Sequence, residues 1–182
     1  MGLKTIVDIA QLFYAEPVTS IADAEDGLTG AEVYALIHDT YTKQIVNVHG
    51  DTWAYEEEEG TTTPFRNQLN GNTYYVDYQQ GSTNISFSVG QYDYATKADL
   101  QGGTATATSW ERPETSKVIY KSFVAVTKDD TYIVIPKAQI TSRGGMIESK
   151  LIGLLLTATP VETGVNGLAP EKWFDASEIV SA

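Results

Sequence analysis

Residues 83–89 carry the pattern that most constrains the fold of this chain. Three apolar side chains alternate there with two hydroxyl side chains, namely Ile85, Phe87 and Val89 with Ser86 and Ser88. A repeat of two residues is typical of a strand with one dry face and one wet face. The segment therefore predicts a half-buried β-strand rather than a helix, and Ile85, Phe87 and Val89 are its candidate core residues.

The segment just before it, 73–78 (TYYVDY), shows a similar alternation. Tyr74, Val76 and Tyr78 fall on one side, and Tyr75 and Asp77 on the other. The intervening QQGS contains residues that favour turns. We therefore predict one long antiparallel hairpin over residues 73–93 with one buried face.

Other parts of the chain also favour strands. Residues 31–55 are rich in Val, Ile, Thr, Tyr and Trp, although the first part of this segment is also compatible with a helical turn. The last third predicts three strands, at 117–127, 131–141 and 146–160, with a loop around 143–145 between the last two. Both faces of 132–135 are apolar, which indicates a strand between two layers, and Pro136 indicates a strand end or an edge.

One short helix is predicted directly after the hairpin, in residues 94–103. Thr96 is the expected N-cap, Asp99 holds the capping-box position and Gly102 is the expected stop. The fold class that follows is mostly β, an antiparallel sandwich or partial barrel with one short flanking helix.

Polar, Gly- or Pro-containing segments separate these elements. We expect an N-terminal arm at 1–30 with a short strand near its middle, extended loops or hairpin tips at 56–72 and 104–116, and a C-terminal arm at 161–182. A chain of 182 residues is expected to form a single domain.

The composition excludes several function classes. Twelve basic residues stand against 24 acidic ones, giving a formal net charge of -12 without a basic cluster, so attraction to phosphate backbones is not expected. Cysteine is absent, and the two histidines do not form a metal-binding pair. No nucleophile, phosphate-loop or dinucleotide motif is present. We therefore expect neither an enzyme nor a cofactor or metal site.

No apolar stretch predicts a membrane segment. The run at 151–156 is far shorter than the ~20 residues that span a bilayer, and Asp8 and Gln11 interrupt the apolar N-terminus.

The order of elements from residue 73 onward resembles the major tail tube proteins of long-tailed phages and the inner-tube proteins of contractile injection systems. The resemblance covers about half of the chain. It is carried by TYYVDYQQGSTNISFSVGQYD, by ATKADLQGG directly after it, and by the closing pair TYIVIPKAQITSRGG and MIESKLIGLLLTATPVET.

This resemblance implies a β-sandwich that assembles into hexameric rings, whose inner sheets join into one barrel and whose rings stack into a tube for DNA. The polar face of the hairpin would line the channel, through Tyr75, Asp77, Ser86 and Ser88. The arm at 104–116 would contact other subunits, with Trp110, Glu111 and Arg112 as candidates. The implied partners are further copies of the chain and other phage tail proteins, and the implied location is the virion tail, assembled in the host cytoplasm.

A second function class remains open at this point. Three Trp and eleven Tyr residues could form a sugar-stacking platform on a carbohydrate-binding or surface-binding β-sandwich. A small enzyme of unrecognised type is the other alternative.

Overall fold

A computed structural model describes residues 5–115 and 117–181 of the chain. The protein is mostly β with antiparallel strand pairing, as the sequence predicts, and it has two short α-helices where one was expected. The strands are β1 (Ile9–Ala15), β2 (Lys43–Gln44), β3 (Ala54–Glu57), β4 (Thr61–Arg66), β5 (Thr73–Gln79), β6 (Thr83–Val89), β7 (Thr104–Ala105), β8 (Trp110–Glu111), β9 (Ile119–Thr127), β10 (Thr131–Ile147), β11 (Leu151–Pro160) and β12 (Lys172–Asp175). The helices are α1 (Gly30–Ile37), α2 (Tyr94–Gln101) and a 3-10 turn at Ala176–Glu178.

Eight strands form one open antiparallel sheet in the order β2-β1-β9-β10-β11-β6-β3, with β12 also paired to β10. Strand β10 is the long central member. Its first part pairs with β9 and β12, and its second part pairs with β11 and, as far as Ile140, with β9. Two separate pairs, β4-β5 and β7-β8, lie outside this sheet.

A bulge divides β10 into these two parts. The register with β9 shifts between Ile135 and Ala138, around the buried Pro136. A proline cannot donate a ladder hydrogen bond, so inside a sheet it is tolerated at bulges or edges. Bulges bend strands, and bent strands let a sheet turn a corner. Pro136 therefore marks a bend inside the strand rather than its end.

The sheet curls so that β6 packs over β9, although two strands separate them in the sheet order. The rings of Phe87 and Phe123 meet edge to face with centroids 6.1 Å apart, and Trp53 lies 6.1 Å from Phe87. The main core forms inside this curl. Its members come from five strands, α2 and the segment after β2: they include Leu12, Ile45, Ile85, Val89, Leu100, Phe123, Ile133, Ile135, Leu154 and Leu156. This is the sandwich-like arrangement that the strand pattern predicts.

A second core lies on the opposite face of the same sheet. Val124 and Val134 alternate with the main-core residues of their strands and pack against Val33 of α1, Phe174 of β12 and Leu168. The two apolar faces of 132–135 thus contact two layers, as predicted.

Both helices begin at side-chain caps. Thr29 and Glu32 form a capping box at α1, in which the Thr29 N–H donates to Glu32 at 2.8 Å. The helical alternative for residues 31–37 is therefore correct. At α2, the predicted cap Thr96 is wrong: the Asp93 carboxylate accepts from the Thr96 N–H at 2.6 Å. Gly102 ends this helix with φ 83°, as expected.

The predicted hairpin over residues 73–93 is wrong in its pairing. Both strands exist, but β5 pairs with β4, while β6 pairs with β11 and β3. Alternation reveals the face of a strand and not its partner, so two adjacent alternating segments resembled one hairpin. The expected buried face of β5 is also wrong, because its Tyr74, Val76 and Tyr78 are exposed.

Several loop boundaries also differ from the predictions. The loop expected around residues 143–145 is part of β10, and the chain reverses instead at 148–150, where Glu148 and Ser149 have positive φ. Segment 56–72 contains β4 and the end of β3, and the tip of the β4-β5 hairpin lies at 67–72.

The two terminal arms pack in the body of the protein. Strand β1 pairs with β9, and Leu28 is buried in the second core, so segment 1–30 contributes to the fold as far as it is described. Segment 161–182 likewise provides β12 and the buried Leu168.

We expect Phe87→Ala to destabilise the protein by about 3–5 kcal/mol, because the side chain is 2% exposed and its removal leaves a cavity between Trp53 and Phe123. The free energy of unfolding is measured by chemical denaturation. Phe65→Ala is the matched control, because Phe65 lies on the exposed β4, and its effect should be far smaller. A loss below ~1 kcal/mol for Phe87→Ala would contradict its place in the core.

Candidate assembly surface

The β4-β5 hairpin is the most exposed element of the protein. Tyr74, Val76 and Tyr78 are 71%, 51% and 62% exposed, and Phe65 and Tyr75 on the other face are exposed as well. The Phe65 and Tyr75 rings contact each other across the two strands, with centroids 5.8 Å apart. An isolated two-stranded hairpin is at best marginally stable in water. This hairpin thus presents apolar side chains on both faces.

The same region is almost free of charge. Arg66 and Asp77 are the only charged residues between positions 60 and 92, so this stretch is formally neutral while the whole chain carries -12. Two copies of an acidic protein repel each other through their charged surfaces. The hairpin itself adds no net charge to that repulsion.

The predicted channel-lining residues do not share one surface. Tyr75 and Asp77 lie on the exposed hairpin, whereas Ser86 and Ser88 lie on β6 in the main sheet. Ser88 is only 5% exposed, because the chain at 48–52 crosses it: its N–H donates to the Thr52 hydroxyl and its carbonyl accepts from His49. The expected wet face of β6 is therefore wrong at Ser88, and Ser86 is half-buried.

The candidate core residues lie together in the main core. Ile85, Phe87 and Val89 are 1%, 2% and 1% exposed. Their neighbours across the ladder are Ala158, Leu156 and Leu154 of β11.

The arm at 104–115 folds as the small β7-β8 hairpin and is attached to α2. Trp110 makes this attachment: its Nε1–H donates to the Gly102 carbonyl at 2.9 Å, and the Lys97 ammonium lies 3.9 Å from its ring centroid. Of the predicted subunit contacts, Trp110 is thus half-buried within its own chain. Glu111 and Arg112 are exposed.

A groove lies between this arm and the β9-β10 ladder. It has a volume of about 1140 Å³, and four acidic and four basic side chains line it, so it is formally neutral. Two polar atoms at its wall, Gln101 Oε1 and Ser142 Oγ, are buried without a hydrogen-bond partner in the described structure. Such orphaned groups cost free energy unless a partner satisfies them.

The exposed strand edges differ in how well they are protected. Strand β2 has two residues, β3 ends in the exposed Glu56 and Glu57, and β4 contains Pro64. Short length, charge and proline are the devices by which proteins discourage strand addition. These three edges are therefore poor docking sites for another strand.

A polar cluster joins β3 to the C-terminal segment. The Tyr55 hydroxyl lies 2.9 Å from carboxylate oxygens of Glu57 and Glu171, and Trp173 donates to the same Glu171 oxygen. Burial, followed by the hydrogen bonds to the two carboxylates, raises the pKa of Tyr55 above its ordinary value. The Tyr55 hydroxyl therefore stays protonated, and its hydrogen bonding to the carboxylates links β3 to the C-terminal segment.

The described residues contain no group of three or more His, Asp or Glu side chains arranged to hold a metal ion. His38 stacks on Tyr34, and His49 lies 3.3 Å from a Glu148 carboxylate oxygen. Within the described part of the chain, neither helix has the length and apolar character needed to cross a membrane.

Comparison with known proteins provides no family for this chain. No protein-family model matches it, and a search of curated proteins returns no match. The function must therefore be argued from the geometry.

Sequence reasoning missed the separate hairpin, which is the most distinctive surface. A signal for it is present in the chain: Asn70-Gly71 lies between the alternating segments 61–66 and 73–79, and an Asn-Gly pair between such segments favours a hairpin turn.

We expect Trp110→Ala to release the arm from α2. The change removes one hydrogen bond and one cation–π contact, together worth about 1–2 kcal/mol locally. Limited proteolysis should then cut within 104–115 faster than in the parent protein. Tyr120→Ala is the control. It removes a ring of β9 that contacts the Lys137 ammonium of β10, and it should leave the arm protected from the protease. Equal cleavage of Trp110→Ala and the parent protein would show that another contact holds the arm.

Proposed function

We propose that this protein is a structural subunit that associates with copies of itself into stacked rings around a channel, as the tail tube family does. In this proposal the assembled tube belongs to a virion tail and conducts DNA, and the subunit has no enzymatic activity. The observation that carries the proposal is the β4-β5 hairpin, whose apolar side chains are exposed on both faces.

The energetics of the hairpin support association. Monomeric proteins rarely expose contiguous apolar surface of this kind without a partner for it. Burying exposed aromatic side chains such as Tyr74 and Tyr78 yields about 25 cal/mol per Å² of apolar surface, reduced by the entropy of association. Because the hairpin buries little apolar surface within its own chain, contacts with another copy would supply much of its stability.

The charge of the chain supports a conduit rather than a DNA-binding role. Each added copy brings a further formal -12, so the assembled particle is strongly acidic. A phosphate backbone is repelled by such a particle and passes without adhering to it. The formally neutral stretch at 60–92 provides the surface at which copies approach each other.

A carbohydrate-binding module is the second candidate. The exposed Tyr74, Tyr75 and Tyr78 are the observation that favours it, because tyrosine rings stack on sugars. Such a protein would remain monomeric and bind glycans. Negative-stain microscopy separates the two candidates, since only the first produces rings or tubes.

Assembly should strengthen as ionic strength rises. Salt screens the repulsion between acidic copies, with a Debye length of about 10 Å at 0.1 M that shortens to ~3 Å at 1 M. Light scattering and microscopy over this range measure the effect. Duplex DNA added at physiological salt should not bind to the isolated subunit. Tight binding of DNA, or a protein that stays monomeric at high concentration and at every salt level, would reject the proposed function.

The arm should also contribute to assembly. Thr104 and Glu111 are Cα partners, so residues 105–110 can be replaced by Asn-Gly to close the ladder with a two-residue turn. We expect this variant to keep the denaturation midpoint of the main core but to lose rings. A variant with Asn-Gly at 107–108, which keeps Trp110 and the arm, is the control. Rings of unchanged size from the shortened variant would exclude a role for the arm.

A further inference from the structure

The outer edge of β5 and the far edge of β10 are longer than β2, have fewer charges than β3 and, unlike β4, contain no proline. The first is the outer edge of β5, Thr73–Gln79, which pairs with β4 on one side and with no described strand on the other. It contains no proline, and its three tyrosines and one valine are strong strand formers. The β4 edge of the same hairpin is blocked by Pro64, so β5 is the side of the hairpin that can accept another strand.

The second edge belongs to the far part of β10. Pairing with β9 ends at Ile140, and over 141–147 that side of β10 has no partner among the residues that the structure describes. This stretch contains Gly144 and Gly145, and no atom lies within 4 Å of where a Gly144 side chain would begin. On this side the peptide groups of the stretch have no strand partner in the described structure.

This open edge borders the neutral groove described above. Gln139 to Gly144 form one wall of the groove, and the orphaned Ser142 Oγ belongs to the same stretch. At its outer end Met146 and its ladder partner Ile152 are exposed. The open edge thus combines unpaired backbone with exposed apolar side chains at its outer end, and its first part borders a groove of balanced charge.

We propose that β5 of one copy adds to the open edge of β10, residues 141–147, in a second copy. Both edges have seven residues. Both surfaces are formally neutral in a chain of net charge -12, so the contact avoids the repulsion between copies. Strand addition pairs the backbone groups of both edges and gives the marginal hairpin the third strand that it needs. The contact is head to tail, because it joins two different surfaces and leaves each copy able to continue the series.

The absence of cysteine makes this contact directly testable by crosslinking. Val76 and Gly144 lie at the centres of the two edges, so they meet whether the strands run parallel or antiparallel. Val76→Cys and Gly144→Cys are purified separately, one with a tag that changes its mass. They are mixed under assembly conditions and treated with a short thiol-reactive crosslinker.

The mixture should form the crosslinked heterodimer. The matched control replaces Gly144→Cys by Gly50→Cys, because Gly50 is also exposed with open space around its missing side chain, and the heterodimer should then be lost. A Val76→Cys sample that crosslinks efficiently to itself would overturn the inference, since it would mean that two β5 edges pair with each other.

The inference rests on the self-association proposed above, and microscopy of the same samples separates the two. Rings without the heterodimer would overturn this contact and leave the proposed function standing. The heterodimer without rings would support the contact and reject the ring. If neither rings nor the heterodimer form, both the contact and the proposed function are overturned.

Discussion

The bulge at Pro136 in β10 is the constraint on which the rest of the fold depends. Before it, β10 pairs with β9 and β12; after it, β10 pairs with β11 and continues with β9 as far as Ile140. The bend lets the sheet curl, so that Phe87 of β6 meets Phe123 of β9 inside the main core. Pairing with β9 continues past the bulge to Ile140, and beyond it the same side of residues 141–147 has no described partner beside the groove.

The balance between charge and apolar surface governs what the protein can contact. A chain of net charge -12 resists association wherever its acidic surface is presented. The neutral β4-β5 hairpin carries several of its exposed apolar side chains, and the groove beside β10 is neutral as well. Neither surface repels the other by net charge, and each lies beside an unpaired strand edge. This combination supports an assembly in which specificity comes from strand addition rather than from ion pairs.

Much of the local structure was predictable because local periodicity reflects burial. The alternation in 83–89 identified a strand whose Ile85, Phe87 and Val89 are buried, and the two apolar faces of 132–135 identified a strand between two layers. The helix cap was misassigned by one turn, since Thr96 and Asp93 are both good caps and the backbone decides between them. The assembly surface was predicted less well. Trp110 packs on α2 within its own chain, and Ser88 is covered by the segment that crosses β6.

The sequence by itself determined the β-rich class, the strand faces, the stop at Gly102 and the acidic, cysteine-free surface, because each depends on neighbouring residues or on composition. Only the tertiary structure decided which strands pair. Strands β5 and β6 are adjacent in the chain and similar in pattern, yet one joins β4 in an exposed hairpin and the other joins β11 in the core. Pairing depends on long-range packing, and a period of two residues is the same for every strand. For that reason the unpaired edges, and with them the proposed contact between copies, became visible only in three dimensions.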